Sequence, residues 1–274
     1  MNFKAICTDI DGTLLNSERD LSPRLKAVIQ LLPQDFPLIL ASSRMPDAMR
    51  HLLFDLGKPS EPIIAYNGGF VLDGKGNVLD SACIPLELVS KILDMTRKTD
   101  IHVSLYQGEN WYEPKPDYWA KREIQNTKVE PTWMSGEEVL DLWAKDNLGA
   151  HKVMVMGDSN EISWIFGELH FEHAKDLHLY RSKDTYIEIA PRKISKATAL
   201  KLVLDHLYDF GMEEVIAFGD NYNDIDLIQR VGWGVAVANA RPEVKAVAKE
   251  ITLHHKEDGV AATLERIRDL KFEI

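Results

Sequence analysis

Cysteine is scarce in this 274-residue chain. Cys7 and Cys83 are the only two and neither stands in a paired motif, so a disulfide framework and a zinc site are both disfavoured, and both thiols are expected to be small buried groups. Long apolar runs are missing as well. The N-terminus has no basic segment followed by a long apolar region, and no stretch approaches the length of a membrane span. Basic charge is in short supply: 32 Lys and Arg face 43 Asp and Glu, a formal net charge of -11. That balance argues against a general nucleic-acid or anionic-membrane partner, which a basic surface would have to serve, although a local basic site stays open. Low-complexity segments are absent too. What remains is ordinary globular composition, 45% hydrophobic and 27% charged, at a length that fits one large domain or two smaller ones. The expectation is a soluble protein of a reducing compartment, the cytoplasm, with small molecules rather than polymers as partners.

The stretch that proposes chemistry is Phe3-Lys4-Ala5-Ile6-Cys7-Thr8-Asp9-Ile10-Asp11-Gly12-Thr13, a strand-like run ending in two carboxylates and a glycine. Side chains alternate along a strand, so Asp9 and Asp11 share a face while extended geometry lasts, and Gly12 allows an immediate turn. Two like charges this close call for a cation or a shared proton, and a hard divalent ion such as Mg²⁺ answers that need. A polar turn in which one acid caps the next helix is the plainer alternative. A calcium loop fits worse, because Gly12 falls at the fourth position of such a loop rather than the sixth.

Downstream, Pro23 opens a helix that stops at Pro33, and Pro37 to Ala41 is a continuous apolar run of the kind buried on both faces of a parallel sheet. That run ends in Ser42-Ser43-Arg44, and a helix from Pro46 to Gly57 follows. A third strand, Pro62 to Tyr66, ends in Asn67-Gly68-Gly69, and Asp73 to Asn77 reads as a hairpin turn. Gly69 to Lys75 has the spacing of a phosphate-cradling loop, but Gly76 replaces the required Ser or Thr and no helix pattern follows. Regular crossover order resumes at Lys193. A helix with Leu200, Val203, Leu204 and Leu207 on one face leads to the apolar strand Val215 to Phe218, which ends in Gly219-Asp220-Asn221-Tyr222-Asn223-Asp224; a fifth strand and two helices close the chain.

Between these halves the texture changes. Residues 83–190 carry short strands and helices in no crossover order, with five of the six tryptophans between 111 and 164. They read as the core of a separate small domain. The expected architecture is therefore α/β: a Rossmann-like parallel-sheet core made of residues 1–82 and 191–274, with an inserted α+β domain over 83–190 and hinges near Cys83 and Pro191. Ligands of such sheets bind beyond the carboxyl ends of the strands.

Taken together, Asp9-Ile10-Asp11-Gly12-Thr13, Ser42 after a strand, Lys196 opening a helix, and Gly219-Asp220 followed by Asn223-Asp224 resemble the four motifs of the haloacid dehalogenase superfamily. The chain looks most similar to its Cof-type sugar-phosphate phosphatases, whose α/β cap is inserted where residues 83–190 lie. Ala65 to Gly69, Asn239-Ala240-Arg241-Pro242 and Asp258-Gly259-Val260-Ala261 extend the likeness.

The resemblance implies a Mg²⁺-dependent phosphatase for a small phosphorylated metabolite. Asp9 would be the nucleophile and Asp11 the acid and base. Mg²⁺ would sit on the Asp9 carboxylate, the Asp11 carbonyl and Asp220, with Asp224 behind them. Lys196, Ser42, Asn223 and the backbone at Ile10 and Ser43 would hold the phosphoryl group, and Arg44 and Asn67 would lie near the substrate opening. A lysine in the first turn of a helix opposes the helix dipole, which favours a bound anion there over a solvated side chain. Two departures stand out: Ser43 and Ala197 occupy positions where the family usually has glycine, so the Ser43 amide contact is the less secure. A phosphomutase on the same fold and a phosphate sensor without catalysis are the alternatives.

Overall fold

The computed structural model describes residues 3–271. The chain opens with β1 (Ala5–Thr8), α1 (Pro23–Gln30), β2 (Leu38–Ala41), α2 (Asp47–Asp55), β3 (Ile63–Ala65), β4 (Phe70–Leu72) and β5 (Val78–Ser81). All four residues of β1 and of β2 are buried, as continuous apolar runs in a two-faced sheet must be. Helix α1 begins where the sequence marks it: the Ser22 hydroxyl accepts from the Leu25 amide, and Pro23 takes the first helical position.

The middle segment contains α3 (Leu86–Thr96), β6 (His102–Gln107), β7 (Asn110–Glu113), α4 (Tyr118–Thr127), β8 (Thr132–Trp133), α5 (Gly136–Lys145), β9 (Lys152–Met156), α6 (Ser159–His173), β10 (Leu177–Lys183) and β11 (Tyr186–Pro191). The chain then returns through α7 (Lys196–Leu207), β12 (Val215–Gly219), α8 (Ile225–Arg230), β13 (Trp233–Ala236), α9 (Pro242–Val247), β14 (Glu250–Ile251) and α10 (Gly259–Lys271).

Two compact units result. One comprises the residues up to 44, 49–80 and those from 195 on; the other comprises 45–48 and 81–194. The first is built on an eight-stranded sheet of order β14-β13-β12-β1-β2-β3-β4-β5, parallel from β14 through β3 and antiparallel at β3 to β4. The second has a six-stranded sheet of order β10-β11-β9-β6-β7-β8, mainly antiparallel. Its own core joins Val103, Leu105, Val153, Val155, Ile187 and Ile189 from the strands to Val89, Trp143 and Ile165 from the helices. Among the described residues no helix is long and apolar enough to cross a membrane.

Two expectations need adjustment, and one helix was not anticipated. Helix α4 carries no apolar stripe, with only Ala120 and Thr127 buried, and is started instead by the Asp117 carboxylate accepting from the Trp119 and Ala120 amides. Cys83 is half-buried rather than buried, with its sulfur 3.4 Å from His151 Nε2; Cys7 is buried, and burial pushes its thiol up to about 12. Of the aromatics in 111–164, Trp111 and Trp143 are core residues, whereas Trp133 and Trp164 are exposed. The loop around Lys75 is a hairpin turn and no phosphate cradle: the Asp73 carboxylate accepts from the amides of Lys75 and Asn77, and Gly76 takes φ 86.

Candidate active site

Strand β1 lies at the middle of the first sheet, between β12 and β2, with Thr8 in register with Phe218 on one side and Leu40 on the other. The residues that follow these strands therefore emerge side by side: Asp9 after β1, Ser42 after β2, Asp220 after β12, and the Tyr66–Gly68 turn after β3. Adjacent parallel strands deliver their ends to one rim, so residues far apart in sequence meet without any loop having to reach.

Lys196 is the centre of the assembly. It opens α7, whose N-cap Ser195 forms a capping box with Thr198, and its side chain is fully buried. Its ammonium donates to Asp9 Oδ1 at 2.5 Å and to Asp224 Oδ1 at 2.7 Å. The second oxygen of Asp224 accepts from the backbone amides of Asp220 and Asn221 at 2.9 and 3.0 Å, so this carboxylate is spent on both sides. Asp220 Oδ1 accepts from the Thr13 hydroxyl at 3.1 Å. Carboxylate oxygens of Asp9, Asp220 and Asp224 lie within 4.8 Å of one another.

Three carboxylates around one buried ammonium leave the group short of positive charge. Burial pushes the Asp9 carboxyl well above the usual range, with Lys196 opposing and Asp224 and Asp220 adding to the rise. Burial and the Asp224 charge push Asp220 up to about 7. Burial also works against the Lys196 charge, but Asp224 and Asp9 outweigh it and hold the ammonium protonated. Oxygen donors, an excess of negative charge, and Oδ2 atoms on Asp9 and Asp220 that accept no hydrogen bond among the described residues together fit a hard divalent cation.

A pH dependence follows. A carboxyl raised in the folded state stabilises the fold fully below its unfolded value and loses that contribution as pH rises through the folded value. For Asp220 the window runs from 3.8 to about 7. Denaturant unfolding in chelator is expected to give a metal-free protein that weakens over this range, and Asp220→Asn should flatten the profile. Added Mg²⁺ should restore stability at the high-pH end. Asp11 has the opposite sign but acts only below 3.8.

Asp11 has different company. Arg44 Nε donates to its Oδ2 at 2.7 Å and Arg44 Nη2 to its Oδ1 at 2.9 Å, a two-point fork, and Arg19 Nη2 donates to Oδ1 at 2.6 Å. Burial would raise this carboxyl, but the Arg44 and Arg19 guanidiniums hold it down at about 2. The two acids of the first motif are thus electrostatically opposite: Asp9 is raised, Asp11 depressed.

Ser42 is buried, and its hydroxyl accepts from the Arg44 amide at 3.3 Å; Ser43 beside it is half-buried. Ile10 is fully buried, and its carbonyl accepts from the amides of Thr13, Leu14 and Leu15, closing the turn after Asp9. Asn223 donates its amide to Asn67 Oδ1 at 2.8 Å, joining the loops after β12 and β3. Asn67 is itself buried and sits at φ 59 between Tyr66 at φ 51 and Gly68 at φ 102, three consecutive left-handed residues. Such backbone is held only where surroundings over-determine it. A Cβ on Gly68 would lie 2.6 Å from the Ser195 carbonyl, so only glycine lets this turn approach the start of α7. Gly12 plays the same part at φ 81, where a Cβ would fall 2.7 Å from Asp220 Oδ2. Ala197, in place of the expected glycine, is fully buried in the core against the sheet.

Several members of this arrangement were not singled out by sequence. Thr13 belongs to the first motif, and its hydroxyl on Asp220 could have been sought there. Asn239, within a family-like stretch, donates to the Gly12 carbonyl at 2.7 Å and accepts from the His255 amide. Arg19 had no signal at all.

Comparison with known proteins identifies the family. The family model of haloacid dehalogenase-like hydrolases matches residues 6–264. A putative phosphatase of Haemophilus influenzae is 30% identical, over 97% of this chain and 98% of the relative. A 5-amino-6-(5-phospho-D-ribitylamino)uracil phosphatase of Bacillus subtilis is 28% identical, over 94% of this chain and 95% of the relative. Among solved structures, a haloacid dehalogenase-like hydrolase from Bacteroides thetaiotaomicron superposes with TM-score 0.88 at 30% identity, covering 97% of this chain and 100% of that one. The chain belongs to the haloacid dehalogenase-like hydrolases and, with these relatives, to their phosphatases.

Proposed function

We propose that the protein hydrolyses small phosphate monoesters through an aspartyl-phosphate on Asp9, with Mg²⁺ as its cofactor. The observation that carries this reading is the convergence of Asp9, Lys196, Asp220 and Asp224, drawn from three separate strand and helix ends around one buried ammonium. One carboxylate oxygen of Asp9 attacks phosphorus while the ester oxygen leaves, splitting one difficult displacement into two. Asp11, which takes up a proton from solvent once substrate loosens its arginine pairs, passes that proton to the departing alcohol and then takes one from the water that hydrolyses the aspartyl-phosphate, regenerating Asp9 and releasing phosphate. Lys196 balances the charge on the phosphoryl oxygens, and the Ser42 hydroxyl and the Asn223 amide donate to them, with backbone amides at Ile10 and Ser43 completing the cradle. The Asp9 and Asp220 carboxylates and the Asp11 carbonyl hold Mg²⁺, which supplies charge neutralisation at the transferring group; Asp224, with both oxygens engaged, orients Lys196 and the Asp220 loop.

The residues 83–190 act in this reading as a cap that selects the leaving group. The uracil phosphatase relative supports a phosphorylated metabolite as the substrate class. The test is phosphate release from a generic aryl phosphate with Mg²⁺, lost in chelator and restored by the metal. Formation of a positional isomer of a sugar phosphate without free phosphate would favour a mutase instead. Tight phosphate-ligand binding with no turnover across a broad panel would favour a sensor.

A further inference from the structure

Three guanidinium hydrogen bonds converge on the Asp11 carboxylate. Its Oδ2 accepts from Arg44 Nε, and its Oδ1 accepts from two Nη2 groups at once, Arg44 at 2.9 Å and Arg19 at 2.6 Å. A leaving-group oxygen must come within hydrogen-bond reach of this carboxyl, where it competes with the guanidiniums already there, and most directly at Oδ1, whose two acceptor positions are both taken.

The two arginines are not equally fixed. Arg44 has a side chain only 6% exposed; its amide is tied to the Ser42 hydroxyl, its carbonyl accepts from the Tyr66 amide, and it grips Asp11 by two points. Arg19 is 46% exposed and reaches one oxygen through one nitrogen. It comes from a purpose-built turn: Asn16 Oδ1 accepts from the amides of Glu18 and Asp20, and the Asn16 carbonyl accepts from the Arg19 amide. Arg19 itself sits at φ 62, a left-handed conformation uncommon for a long side chain. A turn constrained this way aims Arg19 at Asp11 while leaving its guanidinium open to solvent and to whatever lies beside the leaving group.

A guanidinium leaves one anion most easily for another. A neutral alcohol offers Arg19 nothing in exchange for the charge-assisted bond it gives up, whereas an anionic substituent replaces that bond. We infer that Arg19 is a specificity-determining residue, which passes from Asp11 to a second anionic group on the leaving alcohol. The favoured substrates are phosphate monoesters whose alcohol carries a phosphoryl or carboxylate group near the ester oxygen. This rests on the phosphatase reading and narrows its substrate class.

Three matched substrates separate the possibilities: 2-hydroxyethyl phosphate, whose alcohol is neutral, phosphoglycolate, and ethylene glycol bisphosphate. Steady-state kinetics with Mg²⁺ are expected to give wild-type kcat/KM at least about tenfold higher on one or both anionic substrates than on the neutral one. The better of the two identifies the anion as phosphoryl or carboxylate. Arg19→Ala should bring the ratio to within about twofold, chiefly through KM, and Arg19→Lys should recover part of it by keeping the charge. Equal rates on all three in wild type, or an equal proportional loss on all three in Arg19→Ala, would overturn the inference while leaving phosphatase activity standing. Failure to release phosphate even from an aryl phosphate would overturn the underlying reading itself.

Discussion

Asp9→Asn is expected to abolish turnover, by at least about 10⁴-fold, because the substituted amide cannot form the covalent intermediate and catalytic groups that act as a unit lose nearly everything when one is removed. The variant should remain folded. Its isosteric amide still accepts from Lys196, whose second bond, to Asp224 at 2.7 Å, is untouched. It also removes one of three carboxylates that crowd a single ammonium, so stability in chelator should be equal to or above that of wild type. Mg²⁺ should then stabilise wild type by mass action and the variant far less, since one of the carboxylates proposed to hold it has gone. Phosphate release and thermal unfolding with and without metal, on both proteins, check the three expectations together. Full activity in Asp9→Asn would remove the proposed nucleophile. A large loss of stability in chelator would mean that Asp9 serves the fold first and chemistry second.

How much of this could be read in advance depended on whether a feature is local. Buried parallel strands announce themselves as short apolar runs, and β1, β2, β3 and β12 fall where those runs are. The carboxylates and the lysine were legible because each follows a strand or opens a helix in a recognisable pattern. Helix α4 was not, since a helix with two buried residues has no stripe to find and depends on the Asp117 cap. Strand β14 is two residues long and gains its identity from pairing with β13, which sequence does not display. The least legible relations are those between loops. Arg44 was placed near the substrate opening by its motif, yet the fold buries it in a fork on Asp11. Arg19 reaches the same carboxylate only because Asn16 organises a left-handed turn. The bond from Asn223 to Asn67 spans 156 positions and requires Gly68 to pass a carbonyl that any side chain would strike.

The largest stability effect should come from Lys196→Met. This exchange keeps the volume of the stem and removes the ammonium, leaving Asp9 and Asp224 buried without their shared partner. Breaking a buried ion pair from one side costs about 3–5 kcal/mol, because the desolvated charge left behind has lost its compensation. The penalty should depend on pH in a definite direction. Carboxylates stranded in the interior titrate above their ordinary range, the folded state then binds more protons than the unfolded state, and stability falls as pH rises. Lys196→Met should therefore be closest to wild type in mild acid and furthest from it above neutrality. Asp224→Asn on the same background should recover part of the loss by removing one stranded charge, a coupling that a double-mutant cycle in urea would measure directly. Activity should not return with stability, since the charge proposed to balance the phosphoryl oxygens is still missing. A pH-independent penalty, or none, would place the compensation of Asp9 and Asp224 somewhere other than Lys196.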